Sequence, residues 1–112
     1  MSLSTLQRIT RITHALEKLA RIERSGVLKA PHTAESFGDV RGVPGGGGED
    51  CAVARFVALH TGLRVDVGYW CVDLDDDVPG GARVRVPSAL NDLIYDFDHG
   101  NRPWLYLTAE EH

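Results

Sequence analysis

Apolar residues recur along this chain with two different periods, and the switches between them mark the elements. From Ile9 the pattern runs Ile9, Ile12, Leu16, Leu19, at steps of three, four and three. Those steps keep one stripe on one face of an α-helix. Ser4-Thr5-Leu6-Gln7 precedes the stripe with the spacing of a capping box, in which the Ser4 hydroxyl and the Gln7 amide satisfy each other's backbone N–H groups. Gly26 after Ser25 supplies a C-terminal stop. The spacing predicts an amphipathic helix over residues 5–24. Glu23 falls on the apolar stripe, so the stripe is expected to end near Ile22.

Periodicity is then lost. Val27 and Leu28 are placed to fold back on the helix, and residues 29–48 read as a Gly- and Pro-rich loop, with Phe37 and Val40 as candidate pins. A segment this long without periodicity is usually either mobile or functional.

Residues 49–107 read as an α+β core. Asp50 is a good N-cap for a second helix with Val53, Phe56, Val57 and His60 on one face, ended by Gly62. Leu63, Val65, Val67, Tyr69 and Cys71 alternate with Arg64, Asp66, Gly68 and Trp70, as in a half-buried strand. Val72 and Leu74 break the alternation and suggest a bulge or two-sided burial near Cys71. Asp75 to Gly81 has turn chemistry, and Arg83 to Val86 forms the return strand. Ser88 is placed to cap a third helix whose Leu90, Leu93, Ile94 and Phe97 keep the helical rule without a miss, and Gly100 stops it. Trp104 to Leu107 offers a short third strand or an extended tail. The predicted fold is α+β, one domain: N-terminal helix, second helix, β-hairpin, third helix. Such a thin sheet needs helix packing or another chain, which makes a homodimer an expectation.

A chain of 112 residues with 43% hydrophobic content is a globular domain able to bury a real core. No apolar run approaches the roughly 18 residues of a membrane span, and the N-terminus lacks an apolar signal core. No membrane partner is therefore expected, and the cytoplasm is the expected address.

Charge sharpens the picture. The net charge is −4, yet residues 1–30 carry +4 and residues 31–112 carry −8. On the predicted first helix, Arg11, His14, Lys18 and Arg21 fall within about 80° of one another, away from the apolar stripe. Charged outer faces are normal on amphipathic helices. The functional reading of this stripe is contact with an acidic partner protein, whose identity the residues do not name. Nucleic acid is the alternative partner, and the −8 on the remaining chain opposes it. An acidic DNA mimic built on the Asp73, Asp75, Asp76, Asp77 turn and the last helix is a third reading.

Candidate chemistry fails on spacing. Gly45 to Gly48 is followed by Glu49-Asp50, where a phosphate loop needs Lys and Ser/Thr. Asp73, Asp75 and Asp77 resemble the start of a calcium loop, but Val78 and Val84 stand where Gly and Glu are required. Cys51 sits at a helix N-terminus, where the dipole lowers a thiol pKa, but His60 lies about half a turn away around the same helix. Asp98-His99 lies at a helix end, where the imidazole meets terminal carbonyls. Cys51 and Cys71 have no metal-ligand spacing and read as reduced, buried thiols. No catalytic residue, metal or cofactor is assigned.

One resemblance adds a setting. Asp50-Cys51 opening a helix with Ala54-Arg55-Phe56, a two-strand segment, then Pro87, Leu90, Phe97-Asp98, Gly100 and Pro103-Trp104-Leu105 resembles small proteins of unassigned function. They occur in high-GC actinobacteria and their phages and mobile elements. The likeness covers residues 50–107 and implies that setting; the functional expectation beside it is a small protein–protein interaction module, an accessory protein that binds a host or partner protein. The likeness implies no activity.

Overall fold

Ser4 opens the first helix as its spacing predicts. The Gln7 N–H donates to Ser4 Oγ at 3.1 Å, and the Ser4 N–H donates to Gln7 Oε1 at 2.9 Å. Helix α1 then runs Thr5–Arg24 and ends where Gly26 adopts φ 82°, a left-handed turn that a side chain would resist. The computed structural model describes residues 4–31, 40–45, 47–74 and 82–107. Within them the order is α1, a 3₁₀ turn Val27–Lys29, α2 (Ala52–Thr61), β1 (Val65–Val67), β2 (Cys71–Leu74), β3 (Arg83–Arg85), a 3₁₀ turn Ser88–Leu90, α3 (Asn91–Asp98) and a 3₁₀ turn Pro103–Leu105. The fold is α+β, with the N-terminal helix first.

The sheet is a three-stranded antiparallel meander, β1-β2-β3. Its first two strands split the stretch read as one long strand. Val67 pairs with Val72, and the Gly68 N–H donates to Cys71 O at 2.9 Å, so the chain reverses through Tyr69 and Trp70. The reversal explains why alternation fails at Val72: β2 starts a new phase. Val65, Val67, Val72, Leu74, Val84 and Val86 point inward and are buried. The outer face carries Asp66, Asp73, Arg83 and Arg85, with Asp73 paired to Arg83 and Cys71 to Arg85 across the strands.

Helix α1 is part of this core. It packs against α2, β3 and the Ser88–Leu90 turn. Ile12, Leu16, Leu19 and Ala20 have no exposed surface, and burying each of the larger three contributes roughly 1.5–3 kcal/mol. The thinness of the sheet is thus met by helices within the chain.

Helix starts differ from expectation by one to three residues. The N-cap of α2 is Cys51, not Asp50: the Ala54 N–H donates to Cys51 Sγ at 3.5 Å. Ser88 opens a 3₁₀ turn and caps no α-helix with its side chain; α3 begins at Asn91. Trp104 to Leu107 adds no strand to the sheet. Instead Gly42 forms a parallel bridge with Tyr106, its N–H donating to Leu105 O at 2.9 Å and its carbonyl accepting from Leu107 N at 2.8 Å. A Cβ at Gly42 would strike the backbone of Asp50, Cys51 and Ala52, so only glycine fits there. Val40 is fully buried, as expected of a pin; Phe37 lies outside the described residues.

Candidate functional site

Arg11, His14 and Lys18 leave α1 at successive steps of three and four, and all three are exposed. The last turn of α2 comes alongside and adds His60 and Thr61. Together with Ala15, these residues line an open cleft of about 320 Å³ between the two helices. Ala15, small and buried, forms the near wall. His60 was expected on the core face of α2. It is exposed, with its ring centroid 4.1 Å from that of Phe56. The ring therefore rests against Phe56 at the edge of the core. Thr61 is occupied at the helix end: its hydroxyl donates to Val57 O at 2.6 Å and accepts from Leu63 N at 3.0 Å.

The fourth residue of the stripe does not join them. Arg21 lines a separate recess of about 260 Å³ with Glu17, Ala20, Arg24 and Pro87. The structure thus brings together three of the four residues read from the helical spacing and adds a histidine from another element. The cleft's side-chain charge is cationic, which is electrostatically complementary to an anion or a carboxylate-bearing segment.

The acidic turn is accounted for in part. Arg83 Nε lies 2.6 Å from Asp73 Oδ1, a half-exposed ion pair across β2 and β3. Asp75, Asp76 and Asp77 lie outside the described residues. Among the described residues, no group of three or more His, Cys, Asp or Glu is arranged to hold a metal ion. No described helix is long and apolar enough to cross a membrane.

Cys51 is buried, and its pKa is pushed up from 9.0 to about 11. Desolvation dominates. Hydrogen bonds from Ala54 and Val53 pull the other way, and the Asp98 and Asp66 carboxylates add to the rise. The expected lowering by the helix N-terminus is therefore overcome, and the thiol is a protonated cap. Both cysteines are free, and Cys71 is only partly buried rather than buried as expected.

Two further features were missed by sequence reasoning. One is a set of exposed aromatics. Trp70 is 73% exposed, Tyr95 51% and Tyr69 38%. Tyr69 Oη donates to Asp98 Oδ2 at 3.1 Å, which ties the β1–β2 turn to the end of α3. The Tyr69 pKa is raised by desolvation and by that same carboxylate, which favours the neutral phenol. Tyr95 stacks on His99, centroids 3.9 Å apart and planes at 18°. Gly68 was the available signal, since it interrupts the apparent strand. The other feature is a buried ion cluster. Arg102 binds Glu23 through two hydrogen bonds of 2.7 and 2.8 Å and Asp96 through one of 2.9 Å. Glu23 on the apolar stripe was its only trace in the sequence.

Compared with family models, curated proteins and solved structures, the chain matches none.

Proposed function

We propose that this protein is a small protein-interaction module that takes an acidic segment of a partner protein in the α1–α2 cleft. The observation that carries this reading is the convergence of Arg11, His14 and Lys18 with His60 around one cleft. Residues 31–112 carry −8 in a chain whose net charge is −4, so the positive excess lies in residues 1–30. Charge separation of this kind favours a partner of opposite sign at the basic end and repels others elsewhere. The setting proposed with it is the cytoplasm of a high-GC actinobacterium, in an accessory protein of a phage or mobile element. The resemblance over residues 50–107 supports that setting.

Nucleic acid fits the cleft less well. Arg11 and Lys18 lie about 10 Å apart along the helix axis, enough to meet two or three phosphates. Specific DNA-binding surfaces bury about 1,000 Å² or more and commonly neutralise about six to ten phosphates. The DNA-mimic reading loses support at Asp73, whose charge is matched by Arg83.

A glutamate-rich peptide and a random DNA duplex, each titrated into the intact protein, test the proposal. The peptide should bind, and Arg11→Glu and Lys18→Glu should each weaken it about tenfold or more at moderate salt. Tight duplex binding, or peptide binding indifferent to both reversals, would refute the assignment.

A further inference from the structure

A second surface lies near the other end of α2, where its chemistry is the reverse of the basic cleft. Asp66 lies against Gly48, three residues before the Cys51 cap that begins α2, and Asp98 accepts from the Tyr69 hydroxyl. Tyr95 stands one turn before Asp98 on α3, and Trp70 follows Tyr69 in the chain reversal; all three rings are exposed. We infer that this acidic, aromatic face is a docking surface for an arginine- or lysine-bearing segment of a protein partner, separate from the cleft of α1 and α2.

The local sequence supports a functional reason for these rings. The β1–β2 ladder closes at Val67↔Val72, so the chain reverses through the four residues Gly68 to Cys71, and no non-glycine residue among those described has positive φ. Reversals of this length are compatible with most residues and do not call for aromatic ones, yet Tyr69 and Trp70 stand at the tip. An indole left 73% exposed gains the fold little from burial. Trp104, by contrast, is anchored by its N–H to Leu28 O at 2.8 Å.

The face is also held in place before any partner arrives. Tyr69 is fixed by its bond to Asp98, and the Trp70 carbonyl accepts from Val86 N at 2.8 Å. Tyr95 is fixed by its stack on His99, whose Nδ1 lies 2.8 Å from the Tyr95 carbonyl oxygen. The pre-ordered Tyr69 and Tyr95 side chains lose little entropy on binding, and the exposed Trp70 indole adds a ring of the kind that dominates interface energetics. Their ring faces attract guanidinium and ammonium groups. Asp98 and Asp66 are both exposed and supply the matching negative charge. Asp92, one turn before Tyr95 on α3, is exposed as well and extends the acidic surface. Charge complementarity thus selects a cationic occupant over an acidic one.

The test is titration of a short arginine-rich peptide into the intact protein at about 0.15 M salt, where only close charges still count, followed by the Trp70 and Trp104 indole resonances. The Trp70 resonance should shift and that of Trp104 should not. Trp70→Ala and Tyr95→Ala, both at exposed positions, should each weaken binding about tenfold or more. Asp98→Asn should weaken it too, while Glu17→Gln, which removes a charge from α1, should leave it unchanged. Equal binding by wild type and Trp70→Ala would overturn the inference, since the peptide would then be reading net charge alone. A homodimer lost on both Trp70→Ala and Arg11→Glu would also overturn it, because the occupant would be the basic stripe of a second copy. None of these outcomes depends on the glutamate-peptide result at the cleft.

Discussion

Arg102 reaches Glu23 across 79 residues of sequence and holds it by two hydrogen bonds of 2.7 and 2.8 Å. Both side chains are at least 95% buried. The pair fastens the last turn of α1 to the segment that follows α3. Burial alone would lower the Arg102 pKa, but the hydrogen bonds and charges of Glu23 and Asp96 outweigh it and raise the value. Removing Arg102 leaves Glu23 buried and uncompensated, and removing Glu23 leaves the buried guanidinium bonded to Asp96. Arg102→Ala or Glu23→Ala should therefore cost about 3–5 kcal/mol, read as a fall in the denaturation midpoint. Replacing both by apolar residues of similar volume should cost less than either single change. Arg102→Lys should not restore wild-type stability, because an ammonium cannot reproduce the two-pronged bond.

The same relationship decides what happens when α1 is removed. Residues 49–107 read as a self-sufficient core in the sequence, yet Ile12, Leu16 and Leu19 are fully buried. Deleting residues 1–25 would expose the surfaces of α2, β3 and the Ser88–Leu90 turn and strand Arg102. The truncated chain should lose cooperative unfolding and dispersed amide resonances. A folded truncation would mean that the apolar stripe of α1 is dispensable.

Core substitutions near α3 should be costly at both ends of its apolar run. Phe97 is 4% exposed and meets Tyr106 edge-on at 5.0 Å. Phe97→Ala should cost about 3–5 kcal/mol through the cavity it leaves. Leu90 precedes α3, in a position that sequence alone would treat as a frayed first turn. It is fully buried in the 3₁₀ turn that packs on α1, so Leu90→Ala should cost about 2–5 kcal/mol as well. Urea titrations of the two variants compare them directly.

How much could be read in advance depended on whether local sequence or long-range partners decided each feature. The range of α1 followed from its capping box and stripe, because both signals are local. The hairpin at Tyr69-Trp70 did not, because its loop residues are strand formers and Gly68 alone hinted at a break. Glu23 looked like the end of a stripe because its partner lies at Arg102, beyond any periodic window. In the cleft, Arg11, His14 and Lys18 were legible from helical spacing. His60 was not, since its face depends on how α2 sits against α1. Gly42 showed its role only once the turn before α2 was seen to press against it.

Thiol chemistry gives a prediction with a defined pH window. Cys51 is 7% exposed and Cys71 is partly buried, so a thiol reagent should label Cys71 first and Cys51 slowly in the native protein. Folding raises the Cys51 pKa from 9.0 to about 11. Below pH 9.0 the thiol is protonated in both states, and the stabilising preference for the neutral form is fully present. As pH rises from 9.0 to about 11, the unfolded chain ionises first and that contribution is lost. The loss is on the order of 2–3 kcal/mol. Cys51→Ala should flatten the fall of stability over this window, whatever its cost at neutral pH. An unchanged alkaline slope would show that the buried thiol is not its source.

The partner class at the basic cleft turns on salt. If Arg11, Lys18 and Arg21 each neutralised a phosphate, duplex binding would weaken with a log–log slope near −0.9 per contact. Arg21, one turn beyond Lys18 on the same helix face, lines a neighbouring recess rather than the cleft, and Arg11 and Lys18 alone give the cleft too few cations for tight duplex binding. A duplex approaching α1 would also meet the −8 carried by residues 31–112. At about 0.15 M salt the Debye length is about 8 Å, so the cleft's few cations act only at short range. The expected outcome is no measurable shift of random duplex DNA by the intact protein at that salt. Lowering the salt should reveal at most weak binding, and Lys18→Glu should abolish it while Arg21→Glu reduces it less. A tight, salt-steep shift abolished by Lys18→Glu would put nucleic acid in the cleft in place of a protein segment, whereas one that survives Lys18→Glu would place it on another surface.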